Sequence, residues 1–224
     1  MCGRFVVLTR EEVADAVRAV EERGLLVPLA HEGKTRFQAR PSAQVDVIDA
    51  NVQAQQLTWG FSFEWHKGPV FNTRVESLMA GSAAWRAAAR EGRCIIPAAS
   101  FFEPHATETV ASPRTGKLMK RPYELSDPHG MALLLAGVSA DGACSIVTTQ
   151  PNDQVAPVHN RMPLALTPAE AADWLDGSLN EVQLLELWCQ LADRSRFELA
   201  VAPELLDAPA RAHEADDSPQ LSLF

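Results

Sequence analysis

Four apolar, strand-like runs at residues 93–98, 121–126, 131–138 and 143–149 follow one another with no helix-period segment between them. Such a succession cannot form the regular strand–helix alternation of a doubly wound fold, so the runs must pair largely with one another. Helical signals lie outside this block. Thr9 with Glu12 three residues later makes a capping box, and Val13, Val17 and Val20 then recur at helical spacing up to Gly24. An alanine-rich stretch at 77–90 reads as helical, as do segments opened by Thr167-Pro168-Ala169-Glu170 and by Ser178 with Glu181. Residues 44–49 and 55–63 alternate as strands, and 197–202 reads as a last one. The expected fold is a single α+β domain over residues 1–205, with mostly antiparallel sheet closing into a partial barrel and flanked by helices. Residues 104–118 read as a long hairpin loop with a basic end (Arg114, Lys117, Lys120, Arg121). Residues 206–224 read as a flexible acidic tail.

Charge argues at first against nucleic-acid binding, because the net charge is −9. Residues 201–224 contribute −4 of this through five acids and one base, which leaves −5 on the body and room for a local basic groove. No apolar run approaches the ~20 residues that span a bilayer, and the amino terminus lacks the pattern of a secretory signal. A cytoplasmic location without membrane association is therefore expected. The four cysteines are far apart in sequence and form no Cys-x-x-Cys pair, so no metal site is expected.

Five segments can carry chemistry. Cys2 would become the amino terminus once Met1 is removed, which places an α-amine and a thiol on adjacent carbons. An aldehyde meeting that pair forms a Schiff base that the thiol closes to a thiazolidine, a reaction no internal cysteine can perform; an incidental cysteine is the alternative. In Phe71-Asn72-Thr73-Arg74-Val75-Glu76-Ser77, Asn72, Arg74 and Glu76 share one face if the segment is a strand, as polar residues on any surface strand do. Asn and Ser also suit a strand-to-helix cap. In the stretch from Arg93 to Glu103, an apolar strand runs into Phe101-Phe102 and then a carboxylate. Held against aromatics, Glu103 would have a raised pKa and suit acid–base work; a solvated strand end is the alternative. His159 and Arg161, between Pro157 and Pro163, combine a proton shuttle with a phosphate clamp, or a structural histidine with a surface arginine. Finally, Gln220-Leu221-Ser222-Leu223-Phe224 places three large apolar residues at the end of the tail.

Taken in order, Met1-Cys2-Gly3-Arg4-Phe5, Trp59-Gly60-Phe61, Asn72-Thr73-Arg74-Val75-Glu76, Arg93 to Glu103, and His159-Asn160-Arg161-Met162-Pro163-Leu164 resemble the SRAP family of SOS response-associated peptidases, or abasic-site processing proteins. The resemblance implies a single SRAP domain, active without a cofactor and as a monomer, that senses abasic sites in single-stranded DNA. In it Cys2 crosslinks the ring-opened sugar as a thiazolidine. Asn72 positions the amino terminus, Glu103 acts as acid and base, and His159 assists the Schiff-base steps. Arg4, Arg74 and Arg161 hold phosphates, and Trp65 stacks on a base. The last five residues, Gln220 to Phe224, resemble the peptide that docks on the bacterial sliding clamp. Two other readings remain: a thiol (auto)peptidase with Cys2 as nucleophile and His159 as base, and a clamp-associated adaptor that is not an enzyme. A lyase side activity through the Schiff base is chemically open. Phe37-Gln38-Ala39-Arg40-Pro41 departs from the aromatic-Asn-x-x-Pro stretch usual in that family.

Overall fold

The computed structural model describes residues 2–29, 36–64, 66–192, 198–204 and 206. Trp65 and the terminal peptide Gln220 to Phe224 lie outside these residues, as does nearly all of the tail. In chain order the elements are β1 (Phe5–Val7), α1 (Arg10–Glu21), β2 (Gln38–Ala39), β3 (Gln44–Ile48), β4 (Ala54–Trp59), β5 (Asn72–Arg74), α2 (Val75–Met79), α3 (Arg86–Glu91), β6 (Arg93–Ala111), β7 (Leu118–Ser126), β8 (Leu133–Ala140), β9 (Ala143–Thr149), β10 (Met162–Pro163), β11 (Ala165–Leu166), α4 (Pro168–Leu175), α5 (Glu181–Ala192) and β12 (Ala200–Pro203).

The successive apolar runs do pair with one another. β6 lies antiparallel to β8, and β8 to β9. β9 then takes β4 in parallel, β4 pairs antiparallel with β3, and β3 returns to β6 through Ile48 opposite Ile95. Five strands thus close on themselves, the barrel expected from sequence. Closure explains why the runs in β6, β8 and β9 are nearly continuous in apolar residues: both faces of these strands are buried. Along β6, Cys94, Ile96 and Ala98 join a core fed by all five barrel strands, with Val45, Trp59, Leu135 and Ile146. The alternate residue Ile95 joins Leu134, Ala136, Trp174 and Trp188 in an outer core under the helices. Gly60 ends β4 with φ +122°, and a Cβ there would stand 2.7 Å from Pro69 Cβ, so this turn needs glycine.

Helix ends follow local chemistry. Thr9 and Thr167 form the expected capping boxes with Glu12 and Glu170. Four expectations need correction. The stretch 77–90 is two short helices, α2 and α3, separated by Gly81 at φ 62°. Because the chain turns helical at Val75, Glu76 leaves the strand face that Asn72 and Arg74 were expected to share with it, and the N-cap of α2 is Arg74 without a side-chain cap. The cap of α5 is Asn180 rather than Ser178: its Oδ1 accepts from the Val182 and Gln183 amides, while the Gln183 side chain accepts from the Asn180 amide. Last, 104–118 is mostly not loop. β6 and β7 continue as an antiparallel ribbon, Thr109 opposite Lys120 and Ala111 opposite Leu118, with a bulge between Pro104 and Thr109.

Candidate active site at the amino terminus

The antiparallel register of β1 on β6, Phe5 opposite Phe101, brings the amino-terminal segment alongside the end of the apolar run, and the Phe102 amide donates to the Arg4 carbonyl at 2.9 Å. Cys2 is fully buried there, its thiol 3.6 Å from the Arg4 carbonyl. β5 approaches from the other side, held parallel to β9 with Asn72 opposite Ile146. Trp59 braces the approach. Its Nε1 donates to the Phe71 carbonyl at 2.9 Å, and its rings meet Phe5 and Phe71 edge-on. Asn72 Nδ2 then donates to the Cys2 carbonyl at 2.8 Å, while its Oδ1 is buried with no hydrogen-bond donor among the described residues.

Glu103 is fully buried at the point where β6 leaves the barrel. His159 reaches it from the segment after β9, with Nε2 3.8 Å from Glu103 Oε2. Turns at Asn152 and Val155 carry that segment, the His159 amide donating to the Val155 carbonyl at 2.9 Å. His159 Nδ1 stands 3.1 Å from both the amide nitrogen and the carbonyl oxygen of Arg161. A neutral ring can accept from the first, and a protonated ring can donate to the second, so both charge states fit without ring movement.

Burial sets the protonation states. It pushes Glu103 up to about 7, against the pull of the amino-terminal positive charge. It pushes the Cys2 thiol well above its ordinary value, and the Glu103 charge adds to this. Burial, then the amino-terminal charge, lowers His159. Near neutral pH the site therefore holds a neutral thiol, a largely neutral imidazole and a carboxyl group poised between its two forms, the last being the useful state for moving protons in both directions.

The structure thus brings Cys2, Asn72, Glu103 and His159 together from four separate segments. The arginines divide. Arg74 is exposed and shares a cleft of about 510 Å³ with Gln150, His159, Asn160 and Arg161. Arg161 is buried, with its fork on Glu76 at 2.8 Å and 2.8 Å and one nitrogen also on the Thr148 carbonyl. Arg4 stacks 3.9 Å over the Phe102 ring and gives its fork to Glu204 at 2.9 Å and 2.5 Å. Glu204 and Arg40 were not singled out by sequence reasoning. Both line a second cleft, of about 370 Å³, with Gly3, Glu103 and Lys120. β12 delivers Glu204 by pairing with β7, and β2 delivers Arg40 by pairing with β1; neither pairing leaves a mark in such short strands. Among the described residues no group of three His, Cys, Asp or Glu stands close enough to hold a metal ion, and no helix is long and apolar enough to cross a membrane.

These features define a single-domain α+β protein built around its own amino terminus. The family model for SOS response associated peptidase (SRAP) matches residues 1–204, and the chain belongs to that family. Among its relatives, the abasic site processing protein YoqW of Bacillus subtilis (strain 168) is 26% identical over 236 residues, covering 99% of this chain and 98% of YoqW. The abasic site processing protein YedK of Escherichia coli (strain K12) is 26% identical over 201 residues, covering 84% of this chain and 85% of YedK. A crystal structure of a phage-related protein from Bordetella bronchiseptica shares the fold at a TM-score of 0.66 and 22% identity, over 91% of this chain and 94% of that one.

Proposed function

We propose that this protein binds abasic sites in single-stranded DNA and captures them covalently through Cys2 after Met1 has been removed. The observation that carries the reading is the meeting of the Cys2 backbone, held by Asn72, with Glu103 at a pKa of about 7. The named activity of relatives that match along most of their length agrees with it.

The chemistry follows from these groups. The Cys2 amine adds to the aldehyde of the ring-opened sugar, and protonated Glu103 delivers a proton to the departing hydroxyl, so water leaves and a Schiff base forms. The thiol sulfur then bonds to the same carbon and its proton passes to the nitrogen, closing a five-membered thiazolidine. Overall one water is lost and no electrons are exchanged. Asn72 Oδ1, without a donor among the described residues, is an acceptor available to the new ammonium group. Thiazolidine closure also uses up the Schiff base that would otherwise drive strand cleavage. A thiol peptidase would need Cys2 as a thiolate, whereas burial and the Glu103 charge push the thiol the other way.

The test mixes Met1-processed protein with single-stranded DNA carrying one abasic site and runs a denaturing gel beside Cys2→Ala. A heat-stable shifted band that is absent with Cys2→Ala is expected; no band with the processed wild type would overturn the reading. The terminal peptide Gln220 to Phe224 is proposed to dock on the sliding clamp and so bring the protein to replication forks. Deleting residues 220–224 is expected to abolish clamp binding in a pull-down, and unchanged binding would reject that partner.

A further inference from the structure

The β6–β7 ribbon beyond the barrel is unused by the capture chemistry. Residues 104–122 hold four of the chain's lysines and arginines (Arg114, Lys117, Lys120, Arg121) and a single acid, Glu108, in a chain of net charge −9. The acid is already engaged: its Oε2 accepts from Tyr123 at 2.9 Å and stands 3.7 Å from Arg121 Nε. Lys120 Nζ donates to the Ala106 carbonyl across the bulge and lines the cleft that contains Glu103. Arg114 and Lys117, at the far end, are exposed and have no acidic partner within 4 Å among the described residues. That end is closed by a tight turn, the Ser112 amide on the Lys117 carbonyl at 2.8 Å and Gly116 at φ 69°. Between the two basic ends, Leu118 is 76% exposed and Met119 is 38% exposed and also lines the Glu103 cleft.

We infer that this ribbon is a second contact surface for nucleic acid, whose basic edge holds the phosphate backbone of single-stranded DNA as it leaves the Glu103 cleft. The inference rests on the proposed function for its ligand and extends that site outward. Seven residues separate Glu103 from Ala111, and at about 3.3 Å per residue the arm reaches some 20 Å from Glu103, enough for several nucleotides. Charge complementarity selects the occupant: a local excess of three positive charges on an acidic protein is an electrostatic footprint for phosphates. Continuity supports it further, because Lys120 belongs to both the ribbon and the cleft. The exposed Leu118 and Met119 offer apolar surface to unpaired bases beside the backbone.

The test measures fluorescence anisotropy of a labelled single-stranded oligonucleotide that contains no abasic site, titrated with full-length protein at several salt concentrations. The variant is Arg114→Ala with Lys117→Ala, at the exposed end and outside the capture machinery. A charge-matched control, Arg86→Ala with Arg90→Ala, removes two positive charges from α3. Losing two phosphate contacts is expected to lower the slope of log K against log salt by about 1.4, at ~0.7 per contact on a single strand. The control is expected to keep the wild-type slope. Equal slopes and affinities for wild type and ribbon variant would overturn the inference, and so would the absence of wild-type binding at low salt. An equal drop in variant and control would also overturn it, by reducing the effect to net charge. Covalent capture is read separately on the gel. A missing crosslink with an intact ribbon effect rejects the Cys2 reading alone, whereas normal crosslinking with an unchanged salt slope rejects the ribbon alone.

Discussion

Glu103→Gln is expected to make the folded protein more stable, by an amount that grows with pH. The Glu103 side chain is fully buried with a pKa of about 7 against an ordinary value of 4.5, so the folded state binds its proton more tightly than the unfolded state does. The stability this contributes is fully present below about 4.5 and is lost as pH rises through about 7. Glutamine is neutral throughout and suffers no such loss. With ~1.4 kcal/mol per pKa unit, the gain from Glu103→Gln rises from under about 1 kcal/mol at pH 5 to about 3 kcal/mol at pH 8. For a domain of this size the latter corresponds to roughly 6–12 °C in midpoint. Thermal unfolding of both proteins across that range, with Met1 retained as shown by intact mass, measures it. A stability difference that does not change with pH would mean the carboxyl titrates normally. Once Met1 is removed, the same substitution should slow capture of abasic DNA about 10²–10⁴ times relative to the processed wild type, the usual contribution of a positioned acid–base group. A residue whose removal stabilises the fold while disabling the reaction is held for the reaction.

The sequence made some of this legible and hid the rest for physical reasons. The barrel strands β6, β8 and β9 were visible because burial on both faces leaves an almost unbroken apolar run, as at Cys94-Ile95-Ile96. The capping boxes at Thr9 and Thr167 were visible because their donors and acceptors lie three residues apart. The same local rule misled at Ser178, where Asn180 with Gln183 satisfies the same helix end two residues later. The ribbon at 104–118 was obscured because solvent covers much of it, and its polar composition resembles that of a loop. At the site, the types of Cys2, Asn72, Glu103 and His159 suggested their chemistry, but their meeting depends on two non-local registers, β1 on β6 and β5 parallel on β9. The arginines show the limit most clearly. Arg4 and Arg161 read as phosphate holders, yet their forks rest on Glu204 and Glu76, 200 and 85 residues away in sequence. No spacing rule reaches that far.

Arg93→Ala is expected to destabilise the protein by about 3–5 kcal/mol, since each buried carbonyl left without its donor costs about 1–3 kcal/mol and part of that is recovered by relaxation. Arg93 opens the same strand that ends its buried run at Glu103, but its work is structural. It is 3% exposed, and its guanidinium donates to four backbone carbonyls: Trp174 at 2.6 Å, Ala89 at 2.8 Å, Arg90 at 2.8 Å and Asp176 at 2.8 Å. Three of these carbonyls belong to the last turns of α3 and α4, the groups a helix cannot satisfy internally, and the fourth, that of Asp176, follows directly on α4. One planar fork therefore ties two helix ends to the barrel wall, and the negative end of each helix dipole favours the positive charge there. Burial lowers the Arg93 pKa and the nearby Asp176 charge partly restores it. Alanine would leave the four carbonyls facing a cavity. Arg93→Lys should recover only part of the loss, since one ammonium cannot reproduce donors directed to two helix ends. Urea unfolding of the three proteins orders them wild type, lysine, alanine. A lysine variant as stable as wild type would show that the charge alone matters, and an alanine variant within about 1 kcal/mol of wild type would show that water replaces the fork.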